Sequence, residues 1–270
     1  MRRRLASVAL FCACVQALSQ THSSDPPDQA LLARTRALYD APLTRNLFSF
    51  DCAVQFDWKK HVVDAVGSVP AALAPTVEQL QTVQHRVSVE QVSGAVVSAV
   101  SITSNQTALP AAGLENVFDK VVAGGLNAWL PFGTNVILPV GATKYAFQRI
   151  DGGFRLTLSG PGVDATLLLN PDLRMTSGVS QLPQPMRFST NFIGGPDGFL
   201  LASVKTGSTS DASAAGDATF SYTWQTVQGF QLPLLVTVTP SNPESWRYAL
   251  NDCHVSTKTV LNVAPPPKAQ

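Results

Sequence analysis

Eleven consecutive residues, Phe48 to Trp58, alternate without a break. Phe48, Phe50, Cys52, Val54, Phe56 and Trp58 share one phase, and Ser49, Asp51, Ala53, Gln55 and Asp57 share the other. A two-residue period places these sets on opposite faces of a β-strand. Six apolar or thiol side chains on one face of one strand need a large apolar partner surface. The same alternation returns after residue 143. Tyr145 and Phe147 form one stripe, Phe154, Leu156 and Leu158 a second, and Phe220, Tyr222 and Trp224 a third. Asp151-Gly152-Gly153 and Val227-Gln228-Gly229 separate such runs as turns. Further strands are expected over 87–92, 95–103, 165–170, 174–180, 185–193, 199–205, 230–239 and 247–259, with 206–217 as a polar hairpin tip. Strands spaced by turns at this interval describe an antiparallel meander that curls or closes.

Three segments carry helical spacing instead. Leu31, Leu32, Thr35, Leu38 and Tyr39 recur before Pro42. Leu73, Val77 and Leu80 mark a helix over 70–82. The clearest, 113–129, aligns Leu114, Val117, Phe118, Val121, Val122, Leu126 and Trp129 in one stripe, with Gly124-Gly125 weakening its second half. A strongly curved sheet with these helices in its concave face buries every stripe at once. The expected class is therefore α+β and β-rich, an unclosed β-barrel built from a curved antiparallel meander.

Charged residues make up 14% of the 270-residue chain and hydrophobic residues 45%, with a formal net charge of +1. That balance argues against a basic nucleic-acid binder and against disorder. Arg2-Arg3-Arg4, the apolar run Leu5–Val15 and the small residues Ala17 and Ser19 match the three regions of a cleavable export signal. Residues 1–19 are read as that signal, 20–28 as a flexible leader, 29–262 as one domain and 263–270 as a Pro-rich tail. No transmembrane segment is expected in the mature chain, which is placed in the periplasm or cell envelope. Cys14 is the alternative anchor point. Ala13 meets the demand of a lipidation signal for a small preceding residue, but Phe11 is a poor fit three positions before it. Signal removal takes three of the 19 basic residues and none of the 18 acidic ones, leaving a net charge of −2. Cys52 and Cys253 remain, and in an exported chain they read as a disulfide, two separate buried thiols being the alternative. The bridge would tie the first long strand to the last, as suits a barrel not fully hydrogen-bonded at its seam.

The polar residues offer little catalysis. The histidines His22, His61, His85 and His254 have no metal-ligand spacing, and no phosphate-loop, G-x-S-x-G or dinucleotide-binding pattern occurs. His61, after Lys59-Lys60, reads as part of a solvated loop, and Asn105-Gln106-Thr107 as a surface turn. Asp51 beside Cys52, and Asp252 and His254 beside Cys253, form the one polar cluster that a disulfide would gather. It reads as polar residues on the outer face of two strands, with an acid–base site as the alternative. No catalytic residue, metal site or cofactor is assigned. What stands out is aromatic side chains facing one way on several strands. Phe48, Phe50, Phe56, Trp58, Trp129, Tyr145, Phe147, Phe154, Leu156, Phe220, Tyr222 and Trp224 are the expected lining of an apolar cavity. Each buried CH₂ of a lipid contributes about 0.8 kcal/mol.

The layout resembles the LolA/LolB-like family of exported lipoprotein carriers and receptors. The resemblance lies in the helix over 29–40 before the first long strand, a helix interrupting the early strands, and a late hairpin. That hairpin runs Tyr222-Thr223-Trp224-Gln225-Thr226-Val227-Gln228-Gly229-Phe230-Gln231-Leu232-Pro233. Asn170-Pro171-Asp172-Leu173-Arg174-Met175 is similar to the family's mid-chain turn. The resemblance implies an unclosed barrel with a helical lid and no catalysis. Its ligand would be a lipid or an acylated lipoprotein, and an envelope protein is a further partner. The alternative is a sensor or interaction module whose core is filled.

Overall fold

The computed structural model describes residues 26–42, 45–91, 98–105, 112–133, 138, 144–160, 163–181, 185–209, 217–241 and 245–257. The proposed signal, Cys14, most of the leader, the tip of the 206–217 hairpin and the Pro-rich tail fall outside these residues. The elements run α1 (Pro26–Ala37), β1 (Leu47–Phe56), α2 (Trp58–Val66), α3 (Ala74–Thr82), β2 (His85–Gln91), β3 (Ser98–Ser104) and α4 (Ala112–Gly133). Nine strands follow: β4 (Lys144–Ile150), β5 (Gly153–Gly160), β6 (Val163–Leu169), β7 (Met175–Ser180), β8 (Met186–Gly195), β9 (Gly198–Ser208), β10 (Ala218–Val227), β11 (Phe230–Pro240) and β12 (Trp246–Thr257).

All twelve strands form one antiparallel sheet in the order β3-β2-β1-β12-β11-β10-β9-β8-β7-β6-β5-β4. Chain neighbours are sheet neighbours everywhere except at β3 and β4. The first and last long strands, β1 and β12, pair from Leu47↔Thr257 to Phe56↔Tyr248. Between β3 and β4 the sheet is open, and there the chain leaves the ladder to form α4. The gap is therefore not at the β1–β12 seam where the sequence placed it. That seam is hydrogen-bonded, and the Cys52–Cys253 disulfide lies within it, joining residues 201 apart.

Local chemistry explains the departures from simple alternation. β12 carries one extra residue opposite Cys52, because Asp51 pairs with His254 and Ala53 with Asn251. The added residue is absorbed at Asp252, which takes a left-handed conformation at φ 46°, as a bulge requires. A second irregularity, at Phe48, interrupts the register between Leu47 and Ser49. Leu47 is fully buried and Phe48 only half-buried, so the expectation that Phe48 faces the core with Phe50 is corrected. Strand β1 also ends two residues early. Asp57 caps α2 by accepting a hydrogen bond from the Lys60 amide, and Trp58 opens that helix rather than closing the strand. Helix α2 carries no signal strong enough to separate it from the preceding alternation, and the sequence does not show it. At the β10–β11 turn, Gln228 and Gly229 both have positive φ, 49° and 84°. Two such residues give the turn twist that a two-residue hairpin needs.

Helix α4 packs against β3, β9 and β11 on the concave face. Phe118, Val122 and Leu126 are fully buried along one side, and Trp129 and Leu130 continue the stripe. Helix α1 covers the far edge. Its Asp28 carboxylate accepts a hydrogen bond from the Phe147 amide of the edge strand β4 at 3.2 Å. Beyond α1, the backbones of Leu38, Asp40 and Phe199 exchange two hydrogen bonds, and the Tyr39 hydroxyl accepts one from the Met175 amide. Arg45 then ties the buried Asp40 carboxylate to Asp197 at the β8–β9 turn. No helix among the described residues is long and apolar enough to cross a membrane.

Candidate functional site

The inner face of the sheet is mostly apolar, and most of the rings expected to line a cavity lie along it. Phe50, Trp58, Trp129, Leu156 and Tyr222 are buried; Phe56, Tyr145, Phe147, Phe154, Phe220 and Trp224 are half-buried and pack against that core. They fall into zones along the barrel. At its centre Phe50 meets Trp129 edge-on at 5.9 Å, and Trp129 meets Trp224 at 6.2 Å. Beside the open edge, Phe147 and Phe154 form a T-shaped pair at 6.4 Å.

A third zone closes one end, and part of it is not legible in the sequence. Phe56 stacks on Trp246 at 5.6 Å, Trp58 and Phe118 pack at 5.3 Å, and His61 lies 4.1 Å from Trp246. His61 is thus a half-buried helical residue against two aromatics, not part of a solvated loop; the missed helix α2 brings it there. His85 is buried against Phe118 and lies 3.9 Å from Asp119. Only the position of Trp246, at the start of an apolar strand, could have hinted at this cluster.

The helix that covers the apolar wall is held by polar contacts as well as packing. Tyr222 donates its hydroxyl to the Gly125 carbonyl at 2.8 Å, and Tyr248 donates to the Val122 carbonyl at 3.1 Å. Burial raises both phenols above the ordinary tyrosine range, because ionisation would leave a charge in the core. Gly125 makes the approach possible. A methyl group there would collide with the Tyr248 hydroxyl and with Val236. Beside these contacts, the Trp224 indole N–H is buried with no acceptor among the described residues. An orphaned donor in an apolar setting costs about 1–3 kcal/mol unless something accepts from it.

The register of β1 and β12 does gather Asp51, Asp252 and His254 on the outer face. Arg86 of β2 occupies the space between the two carboxylates. Its Nε donates to Asp51 at 2.6 Å and its Nη1 to Asp252 at 3.2 Å, while Ser88 donates to the other Asp51 oxygen. His254 stands 3.7 Å from Asp252, and both side chains are well exposed. Both carboxylates are committed to a guanidinium in open solvent, a poor setting for acid–base work. No group of three or more potential metal ligands occurs among the described residues.

Two surface depressions lie away from the aromatic wall, both with charged residues in their lining. One, of about 1170 Å³, runs between α2 and the outer faces of β1, β11 and β12, past Lys60, Arg86, Arg247 and Asp252. The other, of about 720 Å³, lies on the outer face of β5–β9 between Arg155 and the Arg187–Lys205–Asp217 group. The chain matches no family model, no curated protein and no solved structure.

Proposed function

We propose that this is an exported, non-enzymatic protein that takes a lipid or an acylated partner onto the apolar wall of its open barrel, with α4 as the movable cover. The observation that carries this reading is the Trp224 indole. It is a buried donor without an acceptor among the described residues, set on an aromatic wall against Trp129 of α4. A fatty-acid carboxylate or an acyl carbonyl entering beside Trp129 would satisfy it. The opening lies between β3 and β4, α4 packs from β3 across to β9 and β11, and the disulfide staples β1 to β12, three strands in from the β3 edge. Carriage of lipid or lipoprotein within a cell envelope is the role this chemistry suits.

The test uses a fluorescent fatty acid and a hydrocarbon counterpart that lacks a polar head. Saturable binding of the acid is expected. Trp224→Phe keeps an aromatic ring, removes the donor, and should weaken the acid by roughly tenfold or more while sparing the hydrocarbon. Absence of saturable binding by both probes and by an acylated peptide would overturn the proposal.

A second reading has its own support. Phe118, Val122 and Leu126 of α4 are fully buried and the helix is doubly hydrogen-bonded to the sheet, as in an interaction module whose core is permanently filled. Slow, uniform amide exchange across α4 and the sheet would favour it.

A further inference from the structure

Apolar surface left in water is most anomalous on the α2–α3 hairpin. Val63, Val66 and Leu73, at 36%, 62% and 44% exposure, are three of the five large exposed hydrophobic residues of the described chain. They belong to one run, Val62-Val63-Asp64-Ala65-Val66-Gly67-Ser68-Val69-Pro70-Ala71-Ala72-Leu73-Ala74-Pro75. Within it every position from 63 to 68 and from 70 to 73 is exposed. Val62 and Val69 anchor the hairpin against the core, and Val63, Val66 and Leu73 are left exposed. Isolated surface valines need no explanation, but a contiguous apolar tip does.

Three further features fit burial in lipid better than contact with a protein surface. The run's single charge, Asp64, is neutralised by Lys60 at 2.7 Å. Much of the backbone is satisfied internally: the amide of Gly67 donates to Val63, those of Leu73 and Ala74 to Pro70, and that of Val77 to Leu73. Pro70 and Pro75 have no amide hydrogen to desolvate. In hydrocarbon every unsatisfied backbone group is expensive, so a tip with few open donors is suited to entering it. The third feature is charge. Lys59 and Lys60 lie at the base of α2, and over 58–75 the formal charge is +1. The nearest other acids, Asp57 and Glu78, lie outside the tip, and Asp57 accepts from the Lys60 amide and from Gln81.

We infer that the α2–α3 hairpin is a membrane-docking tip that inserts Val63, Val66 and Leu73 into the interface of an anionic bilayer, with Lys59 at the headgroups. The tip adjoins the Phe56–Trp58–Phe118 end of the barrel, so docking presents that end to the lipid. The inference does not depend on a ligand entering the core.

Flotation of the disulfide-bonded protein with vesicles tests it, using phosphatidylcholine alone and phosphatidylcholine mixed equally with phosphatidylglycerol. Binding is expected to the mixed vesicles and to weaken with salt. Val66→Asp and Leu73→Asp change exposed positions, and each should lower partitioning at least about tenfold while circular dichroism stays unchanged. Lys59→Gln should reduce binding to mixed vesicles more than to neutral ones. Failure of the unmodified protein to float, or equal flotation of both Asp variants, overturns the inference. So does concentration-dependent self-association without lipid that Val66→Asp abolishes, which would make a second copy of the chain the occupant. Fatty-acid probe binding by Val66→Asp and Leu73→Asp separates the two proposals: docking can fail while the core site persists, and the reverse.

Discussion

Two adjacent glycines in α4 show how much a single Cβ can decide. Gly in a helix interior is about 1 kcal/mol worse than Ala, so replacing either should stabilise an isolated helix. Gly124 faces open space, whereas Gly125 lies under the Tyr248 hydroxyl and Val236. Gly124→Ala is expected to raise stability by up to about 1 kcal/mol. Gly125→Ala is expected to lower it by about 1–3 kcal/mol through overpacking. Urea denaturation of the pair reads the opposite signs, and equal effects would contradict the packing of α4. The buried tyrosines set an alkaline limit. Tyr222, Tyr248 and Tyr39 all have phenols raised by burial, Tyr39 to about 12. A raised phenol favours the neutral folded state. Its contribution is complete below the unfolded value near 10 and is lost as pH climbs from there towards the folded value. Stability should therefore fall from about pH 10 upward, and phenolate absorbance should rise late and together with unfolding. Tyr248→Phe should blunt that loss, at a cost of about 0.5–1.5 kcal/mol at neutral pH.

Among the elements, α4 and the β1–β12 pair carry opposite duties. The pair joins the first and last strands of the sheet and is stapled; α4 lies across the concave face on β3, β9 and β11 and is held by side-chain packing and two phenol bonds. Native-state hydrogen exchange should find α4 amides opening at lower free energy than those of β1, β11 and β12. Identical protection would favour the filled-core reading and weaken the case for a movable cover. Most elements were visible in the sequence because period 2 and period 3.6 are strong signals. α2 was not, since Trp58-Lys59-Lys60-His61 follows a strand in phase and only the capping of Asp57 diverts the chain. Phe48 was misassigned for a similar reason: a bulge is a tertiary accommodation, and alternation alone cannot announce it.

For the whole molecule the disulfide is the largest single cross-link. A bridge between residues 201 apart restricts the unfolded chain enough to contribute about 5 kcal/mol in the chain-entropy model. The Cys52→Ala, Cys253→Ala double variant should lose about 2–5 kcal/mol in urea denaturation, with the same loss on reduction of the unmodified protein. A change below about 1 kcal/mol would show that β1 and β12 remain associated in the unfolded ensemble.

Side-chain periodicity by itself determined that this chain makes a curved antiparallel meander with apolar helices on one face, because alternation and helical stripes are local consequences of backbone geometry. It also identified most of the rings on the inner wall, and the cysteine count left by the proposed export signal identified the pair that bonds. Only the tertiary structure decided where the barrel stays open, which strands α4 packs on, which aromatics gather at one end, and that α2 and α3 hold an apolar tip in solvent. Those outcomes depend on register, bulges and the meeting of residues tens to hundreds of positions apart, and no local pattern encodes which of them meet.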